Sequence, residues 1–125
     1  MLSAFVMKKE NTARQSLYNT KWSLKRIHSP SRVEEVLTKA FIQFDQARGS
    51  AGGNGSCNNF GSNFIVVNNA ISFKNIFSTK MYCEGVQQTE DAFFKQLGKA
   101  NRFVIRDKKL LLYHDNDVLL EFVAD

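Results

Sequence analysis

The sequence is poor in the residues that mark several classes of protein. It has one proline, two cysteines and two histidines among its 125 residues. So little proline, together with seven glycines, excludes collagen-like and low-complexity architectures, and so few histidines and cysteines leave little for a metal site. No apolar run approaches the roughly 18 residues that a membrane-spanning helix needs. We therefore expect a globular domain that binds neither a metal nor a cofactor.

The sequence is rich in the hydrophobic residues that form a protein core. Hydrophobic residues make up 43% of the chain, with eleven phenylalanines, and a chain of this length forms one domain. Residues 1–18 show no sustained period, so we predict a leader or tag-like segment that is poorly ordered. Residues 19–125 are predicted to form the single folded domain.

The net charge of +5 is concentrated near the start of the chain. Residues 1–40 carry eight Lys or Arg against three Asp or Glu. Few aromatic residues are interleaved with these charges, so no nucleic-acid partner is expected. The apolar residues 2–7 precede Lys8 and Lys9, which reverses the order of a secretory signal. Two interpretations stay open: a cytoplasmic protein, or one whose targeting segment lies upstream.

Alternating patterns predict several strands. The first includes Trp22 and Leu24, with Arg26 as a further inward candidate, and the second covers residues 41–44. Residues 63–67 and 70–74 form a hairpin across two asparagines, which tolerate the left-handed turn conformation. Residues 76–83 are predicted to be another strand, and residues 102–123 a meander. Residues 31–40 fit either a short helix or a connection, while the glycine-rich residues 46–56 fit a flexible turn or bulge.

A short helix is predicted at about residues 89–98. Thr89 can cap it, Glu90 and Asp91 lie in the first turn where the helix dipole favours acids, and Gly98 can end it. Its apolar stripe consists of Phe93, Phe94 and Leu97.

Catalytic patterns are missing. His28 and His114 stand alone and are interpreted as surface or turn histidines. No Gly-x-Ser-x-Gly element and no phosphate-binding loop is present, because no lysine follows the glycines. The sequence therefore gives no sign of an enzyme.

The two cysteines, Cys57 and Cys83, allow three interpretations from the residues alone. They are independent buried thiols, or a disulfide, or part of a thiol enzyme. A disulfide would close a loop of the 27 residues from Cys57 to Cys83 and would stabilise the fold by about 3.5 kcal/mol.

The order of motifs resembles the META/HslJ-like domain family. The resemblance rests on three elements and the helix that follows them: Asn19-Thr20-Lys21-Trp22-Ser23-Leu24, Cys57-Asn58-Asn59-Phe60, Ser78-Thr79-Lys80-Met81-Tyr82-Cys83 and Glu90. The residues that match the family motifs are Trp22, Asn58, Phe60, Thr79, Met81 and Glu90. The resemblance favours the disulfide, because the two cysteine elements recur as a pair.

The family implies a mainly β, α+β fold: about seven or eight antiparallel strands in a partial barrel, packed against the short helix. We expect that helix to fill the concave face together with Trp22, Phe64, Phe73 and Phe103. The family also implies a non-enzymatic, heat-shock-related envelope lipoprotein or secreted protein, monomeric, with a lipid anchor upstream and an unknown protein or envelope component as partner. The alternatives are a carrier of a small apolar ligand and a thiol-based redox protein. The predicted location is the cell envelope if the cysteines are bonded, and otherwise the cytoplasm.

Overall fold

The computed structural model describes residues 17–125. Within these residues it has nine strands and a helix after the sixth: β1 (Trp22–Ser29), β2 (Arg32–Glu35), β3 (Phe41–Asp45), β4 (Ser50–Asn54), β5 (Asn59–Val67), β6 (Ala70–Ser78), α1 (Gln87–Lys99), β7 (Arg102–Arg106), β8 (Lys109–His114) and β9 (Asp117–Ala124).

The strands form one curved antiparallel sheet in the order β2-β1-β3-β4-β5-β6-β7-β8-β9, and β1 also pairs with β9. The sheet is not a regular barrel, because β6 and β7 are joined only at Ala70 and Arg102. The helix follows β6 in the chain and packs against β6, β9 and β1. This confirms the predicted fold class, with nine strands instead of seven or eight.

The core lies between the concave face of the sheet and α1. Phe93 and Leu97 of the helix are fully buried there with Trp22 of β1. The predicted core residues Phe64, Phe73 and Phe103 are also buried, whereas Phe94 is only partly buried. Burial of this many large apolar side chains is the main stabilising contribution to the fold.

Two predictions for the first half of the chain need correction. Residues 32–35 form strand β2 paired with β1, and neither a helix nor a plain connection. The glycine-rich stretch contains strand β4, paired on both sides with β3 and β5. Glycine is required there because a Cβ on Gly53 would lie 2.1 Å from the carbonyl oxygen of Phe41. These glycines therefore allow close strand packing, and the flexible turn predicted for the whole stretch is wrong.

The strand predicted at residues 76–83 also differs from the structure. Strand β6 extends to Ser78, with a register shift against β5 between Lys74 and Phe77, and residues 79–83 are irregular. In β1 the alternation is broken between Leu24 and Arg26, where the register with β9 shifts. As a result Ile27 is buried and Arg26 is not, which corrects the inward position suggested for Arg26.

The helix begins earlier than predicted. Its N-cap is Val86, which makes no side-chain capping hydrogen bond, and Gly98 lies inside the helix. Thr89 is not the cap; its hydroxyl instead donates to Glu34 Oε2 at 2.6 Å. The chain leaves the helix at Ala100, whose backbone is extended.

The predicted leader lies mostly outside the described residues. Of that segment the structure describes Leu17 and Tyr18. Leu17 is buried and its carbonyl accepts a hydrogen bond from Trp22 Nε1 at 3.2 Å. Tyr18 packs against Phe64, with ring centroids 6.2 Å apart. The prediction for residues 1–16 stays a prediction.

Candidate functional site

The two cysteines are joined by a disulfide, with their Cα atoms 5.8 Å apart. The bond connects two irregular segments, residues 55–58 before β5 and residues 79–86 between β6 and α1. We call these two segments the stapled loops. Neither belongs to a strand of the sheet, so side chains supply many of the hydrogen bonds that a ladder supplies elsewhere.

Asn58 provides most of these bonds across the stapled loops. Its side-chain oxygen accepts from the Thr79 hydroxyl and from the Met81 amide, both at 2.8 Å. Its side-chain nitrogen donates to the Met81 carbonyl at 2.9 Å and to Glu90 Oε2 at 2.6 Å. A side-chain amide has two donor hydrogens and two acceptor lone pairs, and here all four are used. Asn58 is 2% exposed, so losing any of these bonds would leave a polar group unsatisfied away from water.

Glu90 ties the first stapled loop to the helix. Its Oε1 accepts hydrogen bonds from the backbone amides of Cys57 and Asn58, at 2.9 and 2.6 Å. Its Oε2 accepts from the Asn58 side chain and, more weakly, from Gln87 at 3.5 Å. The side chain is 1% exposed, and no cation forms a salt bridge with it among the described residues.

The carboxyl of Glu90 is held in its charged form by neutral donors. Burial by itself raises the pKa of this group, but the hydrogen bonds from the Asn58 backbone and side chain and from the Cys57 amide outweigh burial. The pKa of Glu90 therefore lies below its usual value of 4.5. Its place in the first turn of α1 adds to the same effect, since the helix dipole favours negative charge there.

Aromatic packing closes the site from the core side. The ring of Phe60 lies 5.4 Å from that of Phe93 and 5.1 Å from that of Phe94, measured between centroids. Gly55 fits under this cluster because a Cβ there would lie 2.6 Å from the Phe94 ring and 2.8 Å from Glu90 Cγ. The site therefore has no room for a larger residue at this position.

Six of the predicted site residues thus meet in one place: Cys57, Asn58, Thr79, Met81, Cys83 and Glu90. Phe60 packs directly beneath them. Trp22, the remaining family-motif residue, belongs to the core and bonds to Leu17. The sequence pattern suggested only helix capping for Glu90, because its partners lie 32 and 33 residues away.

The hydrogen bonds of this site attach the two stapled loops to each other and to α1. Both oxygens of Glu90 and every polar atom of Asn58 are already engaged, and residues 17–125 contain no free cysteine. Nor do these residues contain a group of three or more side chains that could hold a metal ion.

A second polar cluster was not predicted from the sequence. On β1 and β9, Glu121 faces both Arg26 and His28: Arg26 Nη1 lies 3.2 Å from Glu121 Oε1, and His28 Nε2 contacts Glu121 Oε2. Arg26 Nε also bonds to Glu35 Oε2 at 2.6 Å. We call these four residues the Glu121 cluster. The register shift after Leu24 places Arg26 opposite Glu121, and the sequence pattern of β1 does not show which residue of a distant strand lies opposite Arg26.

The META domain family model matches residues 15–125, which is nearly the whole chain. The chain belongs to the META domain family. No curated protein matches it significantly.

Solved structures share the fold at low sequence identity. An NMR structure of a protein from Burkholderia xenovorans has a TM-score of 0.74 and 21% identity, covering 91% of this chain and 87% of that one. A crystal structure of a duf4847 family protein from Bacteroides vulgatus has a TM-score of 0.64 and 12% identity, covering 88% of this chain and 95% of that one. At these identities the similarity is one of fold. Within residues 17–125, no helix is long and apolar enough to cross a membrane.

Proposed function

We propose that this META domain is a non-enzymatic module of the cell envelope that binds another envelope component through its stapled loops. The observation that carries the proposal is the disulfide between Cys57 and Cys83. Disulfides persist in oxidising compartments such as the periplasm or the cell surface and are rare in the cytosol. The bond therefore supports an extracytoplasmic location.

Exposed apolar side chains support a binding role for this end of the molecule. Met81 and Tyr82 in the second stapled loop are 60% and 76% exposed, and Leu37 is 95% exposed. Leu37 is next to Thr38, whose hydroxyl lies 2.8 Å from that of Ser56, beside Cys57. Large apolar side chains that are this exposed on neighbouring loops are candidates for a surface that a partner protein covers. The disulfide, Asn58 and Glu90 hold these loops in place before binding, which lowers the entropy that binding costs.

The two alternatives have less support. A carrier would need an interior cavity, but side chains of Trp22, Phe93 and Phe122 and their neighbours fill the concave side of the sheet in the described residues. A thiol-based redox protein acts through a thiolate; Cys57 and Cys83 are bonded to each other, so this role would require the bond to be reduced first. The binding module is therefore the function that the site favours.

The location is tested by counting thiols in native protein prepared without reductant. We expect no alkylation of the unreduced protein and a gain of two mass units on reduction. Two thiols that react before reduction would contradict the envelope proposal, because the staple would then be absent.

The binding role is tested with a photo-crosslinking residue placed at Met81 in the native host. The matched control carries the same residue at Asp107, in the exposed β7–β8 turn. We expect one discrete crosslinked product from position 81 and none from position 107. Equal labelling at both positions, or none at position 81, would contradict a partner at the stapled loops.

A further inference from the structure

A cleft of about 600 Å³ lies at the C-terminal end of α1, at the opposite end of the helix from Glu90. It is bounded by the helix end, by the β1–β2 turn and by the beginning of β9. Both histidines of the chain, His28 and His114, line it. Its volume falls in the range typical of small-molecule sites.

The wall of the cleft contains a buried side-chain amide whose nitrogen is hydrogen-bonded but whose oxygen has no donor among the described residues. Gln96 is 5% exposed, and its side-chain nitrogen donates to the His28 carbonyl. No described residue donates to its side-chain oxygen, and every fully buried side-chain polar atom in residues 17–125 has a partner. Gln96 lines the cleft, and a side-chain oxygen that has no donor among the described residues can accept an O–H or N–H donor from a ligand.

Charged groups at the cleft add a second requirement. Lys99 lines it, and no described carboxylate lies within salt-bridge distance of its ammonium group. The Nε2 atom of His28 is held by Glu121, so the imidazole has a fixed orientation. Asp117 also lines the cleft; its like charge weakens the binding of any anion, and that of a multiply charged anion most. These groups fit a single carboxylate.

The rest of the lining is mixed: Ser29 and Asn116 are polar, and the other residues are apolar. Pro30, Val118 and Leu119 line the same cleft, and Leu119 is 7% exposed. A ligand that satisfies Lys99 and Gln96 would therefore lay a short hydrocarbon portion against these side chains, where apolar contact is favourable.

We propose that this cleft binds a small monocarboxylate that has an apolar body and an adjacent O–H or N–H donor, such as an α-hydroxy or α-amino acid. The carboxylate pairs with Lys99, the donor bonds to the Gln96 oxygen, and the apolar body lies on Leu119. This site is separate from the stapled loops, and the proposal does not depend on the function proposed for those loops.

The test is an NMR titration of the full chain, labelled with ¹⁵N, with 2-hydroxyisocaproate and, separately, L-leucine. We expect saturable shifts of the Gln96 side-chain amide and of the Lys99 and Leu119 backbone amides. The probe that binds more tightly identifies the hydroxy or the amino acid as the source. Shifts that do not saturate with either probe, or that spread evenly over the surface, would overturn the proposal.

Two controls make the test specific. The first is chemical: 4-methylpentanoate lacks the donor and 2-hydroxyisocaproamide lacks the charge, so both should bind more weakly than 2-hydroxyisocaproate. The second is a pair of exposed lysines on one helix. Lys99→Ala should weaken binding about tenfold or more, the expected effect of losing a charged hydrogen bond, whereas Lys95→Ala should leave it unchanged. Equal binding by the two variants would overturn the assignment of Lys99.

Discussion

The domain contains two carboxylates whose pKa values are lowered by different means, and the difference shows how each region is held together. Glu90 is buried between irregular loops and is satisfied by amide donors from Cys57 and Asn58. Glu121 is half-buried on a regular β ladder and faces two basic side chains, Arg26 and His28. Burial raises the pKa of Glu121, but His28 first and then Arg26 outweigh it and lower the pKa.

We expect Glu90 to contribute more to the stability of the fold than Glu121. The strands around Glu121 already have their backbone hydrogen bonds, so its ion pairs add to a structure that forms without them. The stapled loops have no ladder, and Glu90 satisfies backbone amides that would otherwise be buried and unpaired. The region with less regular structure should therefore depend more on a single side chain.

The largest expected effect comes from removing the staple. The double variant Cys57→Ser, Cys83→Ser should lose about 3.5 kcal/mol of unfolding free energy, because the unfolded chain regains the entropy of an open loop. Urea denaturation of wild type and variant at neutral pH measures this. A loss well below 1 kcal/mol would mean that the loops are held by the polar network alone.

Replacing Glu90 should be nearly as damaging. Glu90→Gln keeps the shape of the side chain but turns one acceptor oxygen into a donor that faces other donors. We expect a loss of about 2–3 kcal/mol in the free energy of unfolding, the range for an unsatisfied buried polar group. The measurement is urea denaturation with the disulfide intact. Equal losses of unfolding free energy for Glu90→Gln and Glu121→Gln would contradict the prediction that Glu90 contributes more to stability than Glu121.

Acid should weaken the fold through both carboxylates. Each has a folded-state pKa below its usual value of 4.5, so the unfolded chain binds protons first as the pH falls. Their stabilisation is complete above about pH 4.5, declines as the pH falls below that value, and is lost once the pH passes the folded-state pKa. Denaturation curves between pH 7 and pH 2 should show a shallower acid loss for Glu90→Gln than for wild type. An unchanged acid slope would contradict the lowered pKa of Glu90.

The smallest effect is expected at Glu121, and salt should distinguish it. Glu121→Gln should cost less than about 1 kcal/mol, as is typical of ion pairs with partial solvent exposure. This cost should shrink further in about 1 M salt, where charges are screened over roughly 3 Å. The cost of Glu90→Gln should not change with salt, because its partners are neutral. If the cost of Glu90→Gln changed with salt, the claim that neutral donors hold Glu90 and charged partners hold Glu121 would be contradicted.

The sequence predicted the regular parts of the fold well because their signals are local. Alternation located most strands, and the spacing of Phe93 and Leu97 located the helix, because period alone determines which side chains face the core. The two cysteine elements predicted the pairing of Cys57 with Cys83 through a family resemblance.

The errors have a common physical cause: the deciding contacts are distant in sequence. Gly53 fits a strand because Phe41 approaches it from another strand, although glycine runs usually indicate turns. Glu90 has the pattern of a helix first turn, yet its main partners come from the loop before β5. His28 was interpreted as solitary because Glu121 lies 93 residues away. Local patterns contain no trace of such pairs.

The hydrogen bonds from the backbone amides of Cys57 and Asn58 to Glu90 are central to the structure of the stapled loops. Hydrogen exchange of these two amides, measured by NMR in wild type and in Glu90→Gln, tests these two hydrogen bonds locally. Amides elsewhere in the sheet report any change in global stability. We predict that both amides, although they lie outside any ladder bond, exchange as slowly as amides in β5 and that Glu90→Gln selectively accelerates them. If the two amides of the wild-type protein exchanged as fast as those of an exposed loop, this prediction would be contradicted.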